Sequence, residues 1–221
     1  MFDALLSGIA PHLCCGCGKI GTLLCDNCKY NIVIDADKVC LGCGSVTIKS
    51  GVCQGCDVFY SRAWYVGERS GVLQRLIGNY KFQNMLAARV PLTSLLIETI
   101  DHLPENTIVV PIPTVSGHIR ERGYDHILLI ARQVAKKRHL RLQRCLLRVT
   151  STKQRDATRR QRIAQAKAAF KVAGLVDCSV PHLLIDDVVT TGATVKYAAK
   201  ALRDAGVRDI WVAVIARQPL D

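Results

Sequence analysis

The sequence predicts an α/β domain, a parallel sheet with helices on both faces, preceded by a small cysteine-rich segment. Three observations carry that prediction. Nine of the eleven cysteines fall between Cys14 and Cys56, in a stretch with few large apolar residues. Beyond it, apolar runs such as "TIVVPIP", "HLLIDD" and "DIWVAVIA" lack the polar alternation of a half-exposed strand. Between those runs lie segments whose apolar residues recur at helical spacing. Strands apolar on both sides, separated by amphipathic helices, belong to parallel sheets covered on both faces.

The chain has 221 residues, enough for one ordinary domain plus a small appendage. Hydrophobic residues make up 49%, which supports a real core and argues against wholesale disorder. The net charge of +12 predicts polyanionic company, such as nucleic acid, phosphorylated small molecules or an acidic partner. The opening "MFDALLSGIAPHLC" is apolar but lacks the positive region and cleavage site of a signal peptide. No stretch approaches the ~20 apolar residues needed to cross a bilayer. The expectation is a soluble cytoplasmic protein with reduced cysteines, a state that favours metal ligation over disulfides.

Taken in order, the cysteines form four Cys-x-x-Cys pairs: Cys14/Cys17, Cys25/Cys28, Cys40/Cys43 and Cys53/Cys56. The segment is a duplication, because "CCGCGKIGTLLCDNC" and "CLGCGSVTIKSGVCQGC" both read Cys-x-Gly-Cys-Gly, a spacer, then Cys-x-x-Cys. The glycine after each knuckle permits a tight turn that aims backbone amides at the sulfurs. Four thiolates match a closed tetrahedral zinc site with a structural role. A redox Cys-x-x-Cys needs a strand-to-helix context and a single pair. Two Zn²⁺ sites are expected, Cys14, Cys17, Cys25 and Cys28 for one and Cys40, Cys43, Cys53 and Cys56 for the other. A crossed pairing between the repeats stays open. Residues 1–58 are accordingly read as a double zinc ribbon and 59–221 as the α/β domain.

After Cys56, "YSRAWYVGE" reads as a strand, and "SGVLQRLIGNYKF" and "LAARVPLTSLLIETI" as helices. "NTIVVPIPT" is a short buried strand stopped by prolines. "DHILLIARQVAKKRH" places Ile127, Ile130, Ala131 and Val134 on one face of a surface helix. "HLLIDD" is a further buried strand, "TVKYAAKALRDAG" a helix ended by Gly206, and "DIWVAVIA" the last strand.

The chemistry is concentrated in "LLIDDVVTTGAT". Ligands of open parallel sheets bind beyond the carboxyl ends of the strands, where Asp186 and Asp187 fall. Paired carboxylates there accept hydrogen bonds from vicinal hydroxyls or hold a divalent metal. Thr190, Thr191, Gly192, Ala193 and Thr194 follow at a helix N-terminus, where free N–H groups and the helix dipole suit a phosphate. Gly192 leaves room for the backbone to approach the anion. A diol beside a phosphate is a ribose 5-phosphate. The plainer reading, carboxylates capping the next helix, accounts for one aspartate and not two. A nucleotide P-loop lacks its Gly-Lys-Ser/Thr ending here, since Ala193 follows Gly192.

This stretch resembles the 5-phosphoribosyl 1-diphosphate (PRPP) signature of type I phosphoribosyltransferases. The resemblance implies that Asp186 and Asp187 contact the ribose hydroxyls and that Thr190 to Thr194 cradle the 5-phosphate. It also implies Mg²⁺, carried mainly by the diphosphate. Along nearly the whole chain the sequence is similar to the ComF family, which includes GntX-type proteins and joins a zinc ribbon to a transferase domain. By that resemblance Val110, Pro111, Ile112, Pro113 and Thr114 lie near the diphosphate. "RERGYDH" departs from the family's Arg-x-Arg-Gly-aromatic-Asn-Gln at Asp125 and His126. "STKQRDATRRQRIAQAKAAF" stands in place of the flexible loop that closes over PRPP, with Gln154, Arg155, Arg159 and Arg162 as candidates to meet the diphosphate. Lys81, in "YKF", is another candidate for that role, although a lone lysine after an amphipathic helix is more often surface.

Two function classes follow. One is a phosphoribosyltransferase-fold enzyme binding PRPP and Mg²⁺, its acceptor unassigned, acting in competence, DNA uptake or DNA utilisation. The other is a non-catalytic single-stranded DNA adaptor on the same fold, partnering a DNA-uptake helicase. Sixteen Lys/Arg against three acidic residues between Arg120 and Lys171 form a band able to follow phosphates. Few aromatics interleave it, which argues for backbone binding without sequence preference. A regulator sensing PRPP would need an effector-coupled target, of which the sequence gives no sign.

Overall fold

A computed structural model describes residues 11–32, 39–48, 51–149 and 169–219. Its centre is a sheet of five strands, β1 (Arg62–Glu68), β2 (Ile108–Pro111), β3 (Arg141–Leu142), β6 (His182–Val189) and β7 (Ile210–Arg217). They run in the order β1-β7-β6-β2-β3, and every pairing is parallel. A separate antiparallel hairpin pairs β4 (Leu146–Arg148) with β5 (Phe170–Val172).

Each face of the sheet carries its own hydrophobic cluster. On one, Val109, Leu183, Ile185 and Ala213 meet α2 (Gly71–Phe82), α3 (Arg89–Thr99) and α5 (His126–Lys137). On the other, Val110, Leu184, Val212 and Val214 meet α6 (Ala193–Asp204) and the hairpin. The continuous apolar runs are thus explained: alternate side chains enter different cores, and both cores are apolar. Two helices are short: α1 (Asp26–Tyr30) lies in the first cysteine repeat and α4 (Ser116–Arg122) follows β2. Helix α4 buries no residue and so has no apolar stripe by which its sequence would announce it.

The cysteine repeats are built into both cores. Leu23 and Ile32 of the first join the α2 side, and Leu41 of the second joins the α6 side. Glycine is required at the closest approaches. A Cβ on Gly16 would stand 2.3 Å from Cys28 Sγ, and one on Gly51, at φ +63°, would stand 1.9 Å from the Ala63 carbonyl oxygen. Among the described residues no helix is long and apolar enough to cross a membrane.

The topology sets where the sheet opens a crevice. Neighbouring strands β2 and β6 send their chains to opposite faces, β2 toward α4 and α5 and β6 toward α6. Such divergence opens a crevice at the carboxyl edge, the usual ligand position in open parallel sheets.

Candidate functional site

The predicted residues converge on that crevice from both strands. β6 ends in Asp186, Asp187, Val188 and Val189, and the Thr190–Thr194 turn follows. β2 ends at Pro111, paired with Ile185, and the Ile112 N–H donates to the Ile185 carbonyl at 2.9 Å. Of the five candidate diphosphate-loop residues, Val110, Pro111 and Ile112 are buried, so their side chains serve the fold. Pro113 and Thr114 are half-buried and form the accessible part of the loop.

Successive strand residues face opposite sides, and this separates the two aspartates. Asp187 turns toward α2 and α5. Its Oδ2 accepts a 2.6 Å hydrogen bond from His126 Nε2 and forms an ion pair with Lys81 Nζ, and its Oδ1 accepts from the Val188 N–H at 2.5 Å. Both partners are withdrawn from water: the Lys81 side chain is 16% exposed and that of His126 5%. Burial would raise the Asp187 pKa, but the His126 hydrogen bond and the Lys81 charge outweigh it and hold the carboxyl at about 2.

Asp186 belongs to the other side. It lines a cavity with Val188, Val189 and the turn Thr190–Thr194, and its Oδ1 accepts from the Asp187 N–H at 2.9 Å. Burial first, and then the neighbouring Asp187 charge, push its carboxyl up to about 7. The cavity volume is about 30 Å³. That is roughly the room of one water, so an anion would sit at its mouth, beside exposed Thr190 and Thr191. Gly192, at φ +74°, turns the chain into α6 without a side-chain cap, leaving the first N–H groups of the helix to the crevice. Arg217 adds positive charge at the same edge. It is paired in register with Val189, is 4% exposed, and among the described residues has no partner for Nε or one terminal nitrogen.

Two positions that depart from the family pattern have defined work. The Asp125 Oδ1 accepts from the Leu128 N–H at 3.1 Å, capping α5, and from Thr114 Oγ1 at 3.0 Å, tying the β2 loop to that helix. His126 links two charged groups. Arg122 can only donate, so His126 Nδ1, 3.0 Å from its guanidinium, accepts and Nε2 carries the hydrogen that Asp187 receives. The Tyr80 hydroxyl donates to the His126 carbonyl at 3.0 Å and seals the cluster from below.

Lys81 and His126 therefore join the candidate site through Asp187, where the sequence suggests a surface lysine and a departure from the family pattern. Each lies on an apolar stripe, Lys81 four residues after Ile77 and His126 four before Ile130, and a charged residue on such a stripe is the signal that could have found them. Gln154, Arg155, Arg159 and Arg162 lie outside the described residues. The hairpin on either side of their segment is placed: Arg148 stacks on Phe170 at 5.2 Å and reaches toward the Pro113 carbonyl at 3.4 Å. The stem thus stands against the β2 loop.

The cysteines assemble by repeat, Cys14, Cys17, Cys25 and Cys28 in one cluster and Cys40, Cys43, Cys53 and Cys56 in the other. That grouping follows the repeats and not the crossed pairing. Two of the sulfur separations are 3.6 and 3.7 Å in the first and 3.5 and 3.7 Å in the second, and all sulfurs of a cluster lie within 4.8 Å of one another. Zn–S bonds of about 2.3 Å in a tetrahedron demand about 3.8 Å between sulfurs. The two clusters could each hold a zinc ion with little adjustment. The Gly16 and Cys25 N–H groups approach Cys14 Sγ at 3.4 Å, and the Cys53 N–H approaches Cys40 Sγ at 3.4 Å, the amide support expected around a metal thiolate.

No protein-family model matches the chain. The chain is 27% identical to "Competence protein F" of Haemophilus influenzae, over 87% of its own length and 96% of the relative's. It is 25% identical to "Competence protein ComFC" of Streptococcus pneumoniae, covering 85% of this chain and 84% of that one. Among solved structures it is similar to the xanthine-guanine-hypoxanthine phosphoribosyltransferase of Helicobacter pylori, at 12% identity and a TM-score of 0.35, over 64% of this chain and 87% of the other.

Proposed function

From a chain whose relatives and paired tetracysteine clusters fit a ComF-type protein, we propose a PRPP-binding protein of competence or DNA use. In this reading PRPP occupies the β2/β6 crevice with its Mg²⁺, and zinc fills both cysteine clusters. The observation that carries it is the meeting, at one switch point, of the two carboxylates late in β6, an uncapped helix N-terminus and the half-buried Pro113–Thr114 loop.

The chemistry of each part supports the reading. The α6 N-terminus and the Thr190, Thr191 and Thr194 hydroxyls suit a 5-phosphate. Asp186 and Asp187 are acceptors for ribose hydroxyls. Because Asp187 Oδ2 is already engaged, a sugar hydroxyl joins or displaces the contacts of Lys81 and His126. Lys81 so released would gain a diphosphate oxygen as its new counter-charge. The carboxylates offer no open metal cage, which fits a Mg²⁺ that arrives on the diphosphate; once bound it would offset the charge of that leaving group. The acceptor of the ribosyl group is left unassigned.

Titration calorimetry with PRPP and Mg²⁺ tests this. Binding is expected for the wild type, and Thr191→Glu, an exposed change that puts a carboxylate where the phosphate sits, is expected to abolish it with the fold intact. No heat from the wild type at millimolar PRPP overturns the proposal.

A second reading has its own observation: the excess of Lys/Arg between Arg120 and Lys171, of which Arg120, Arg132, Lys136 and Lys137 are exposed. We propose that this side follows the backbone of single-stranded DNA beside a helicase-like partner. Affinity must then fall steeply with salt; a gel-shift series with no binding at low salt, or no salt dependence, removes it.

A further inference from the structure

We infer that the free edge of β1 is a self-association site, sealed by the metal-loaded cysteine repeats. When metal leaves, it opens to antiparallel pairing with β1 of a second copy of this chain. The inference rests on zinc in both clusters and is independent of the PRPP reading of the crevice.

β1 ends the order of the five-stranded sheet, so one of its sides has no neighbouring strand. Its bonds to β7 fix which backbone groups turn that way. The Ser61 N–H donates to the Ile210 carbonyl at 2.9 Å and the Arg69 N–H to the Arg217 carbonyl at 2.7 Å. Odd-numbered residues therefore face β7, and alternation turns the N–H and carbonyl groups of Trp64 and Val66 outward. Among the described residues no backbone partner from outside the sheet meets them. Trp64 is nonetheless 3% exposed and Val66 0%, so this edge is shut from water. Both cysteine repeats pack on the strand. Leu23 and Ile32 of the first share a cluster with Trp64 and Val66, and Leu41 of the second shares the other with Ala63 and Tyr65. A Cβ on Gly67 would stand 2.8 Å from the Ile32 carbonyl oxygen, and Gly51 lies as closely on Ala63.

Sheet edges are ordinarily blunted by a charge or a proline within the strand. β1 has neither: Ala-Trp-Tyr-Val-Gly lies buried between Arg62 and Glu68. Small cysteine-rich segments are held together by their metal, so metal loss withdraws this cover. What it bares is an unpaired edge rich in residues that favour strands.

The two ends of the strand specify the partner. Arg62 and Glu68 are exposed and opposite in charge, and among the described residues neither joins an ion pair. Antiparallel pairing about a two-fold axis at Tyr65 sets Arg62 of each copy against Glu68 of the other. The same register sets Trp64 against Val66, so the outward backbone groups meet as hydrogen-bonded pairs. Parallel in-register pairing would instead oppose like charges, which is destabilising. A two-fold contact closes on itself, and the product is a dimer and not a filament.

Sedimentation velocity on the full chain, zinc-loaded and then chelated, tests this, with circular dichroism on the same samples. The loaded wild type is expected to be a monomer and the chelated protein a dimer that keeps its helical signal and reverts when zinc returns. Arg62→Glu and Glu68→Arg should each hold the chelated protein as a monomer. Mixing those two variants, or combining both changes in one chain, should restore the dimer, because either step puts opposite charges face to face again. A chelated wild type that stays monomeric overturns the inference, as does a loaded protein that already dimerises. Association indifferent to the single charge changes, or open-ended aggregation, overturns it too. Loss of the helical signal on chelation does the same, since the sheet then does not outlast its cover. Metal analysis of the loaded protein separates the remaining failure: a chain that takes up no zinc removes the zinc reading itself, and this inference with it.

Discussion

Replacing Asp187 with asparagine tests the buried charge cluster directly. The substitution keeps the shape and removes the one anion that Lys81 and His126 share. Lys81, five-sixths withdrawn from water, then loses its ion-pair partner. Removing one partner of a buried ion pair costs ~3–5 kcal/mol. At ~2–4 °C per kcal/mol for a chain of this size, the thermal midpoint should fall by roughly 6–20 °C. Lys81→Met should cost less, because Asp187 keeps the His126 and Val188 hydrogen bonds. The double variant Lys81→Met/Asp187→Asn should recover part of the Asp187→Asn loss, since no orphan charge remains. Thermal and urea unfolding of the zinc-loaded protein at pH 7.5 measure all three. The pH dependence has a definite sign: with the folded pKa held at about 2, the contribution of Asp187 is full above the ordinary carboxylate value near 3.8 and fades as pH falls toward 2. An Asp187→Asn midpoint within experimental error of wild type, or a double variant that simply sums the two losses, refutes the reasoning.

Asp186 should behave in the opposite sense. Its folded pKa is raised to about 7, so its stability contribution is whole below about 4 and is lost as pH climbs to 7; Asp186→Asn should gain on wild type across that window and level off above it, as read from paired urea melts. Metal analysis should find two zinc ions per chain, and Cys25→Ser should leave one. Gly16→Ala, whose Cβ would strike Cys28 Sγ, should likewise lower the metal content of the first cluster alone, measured against Gly55→Ala, where nothing lies within 4 Å. Thr191→Glu should abolish PRPP binding in calorimetry with no shift in melting, because Thr191 is exposed.

Much of this was legible in one dimension because the signals are local. The β6 run, the two aspartates and the threonine turn are contiguous, so their nearness to the carboxyl edge follows from the run, although β6 continues past Asp187 to Val189 where the sequence suggested that it ends on the aspartates. The cysteine repeats carry their own spacing, and the grouping by repeat agrees with it. What escaped depends on contacts between distant segments. Lys81 and His126 meet Asp187 across separations of more than 60 residues, and no periodicity encodes which helix stripes will face one strand end. The role of Asp125 was hidden differently: replacing an amide by a carboxylate removes a donor but preserves the acceptor needed for the cap. The strand β3 has two residues and pairs only through β2, too short for any pattern to register.

The helix α2 has one more implication. Near its start Val72 packs on the first cysteine cluster, in its middle Arg75 donates to the Cys15 carbonyl at 2.6 Å and Asn79 contacts Cys15 Sγ at 3.4 Å, and at its end stand Lys81 and Phe82. A single helix thus runs from the first cysteine cluster to the β2/β6 crevice. Stripping zinc from the knuckle would loosen the helix at its anchored end and let the lysine drift from its carboxylate, so metal status and ligand affinity should rise and fall together.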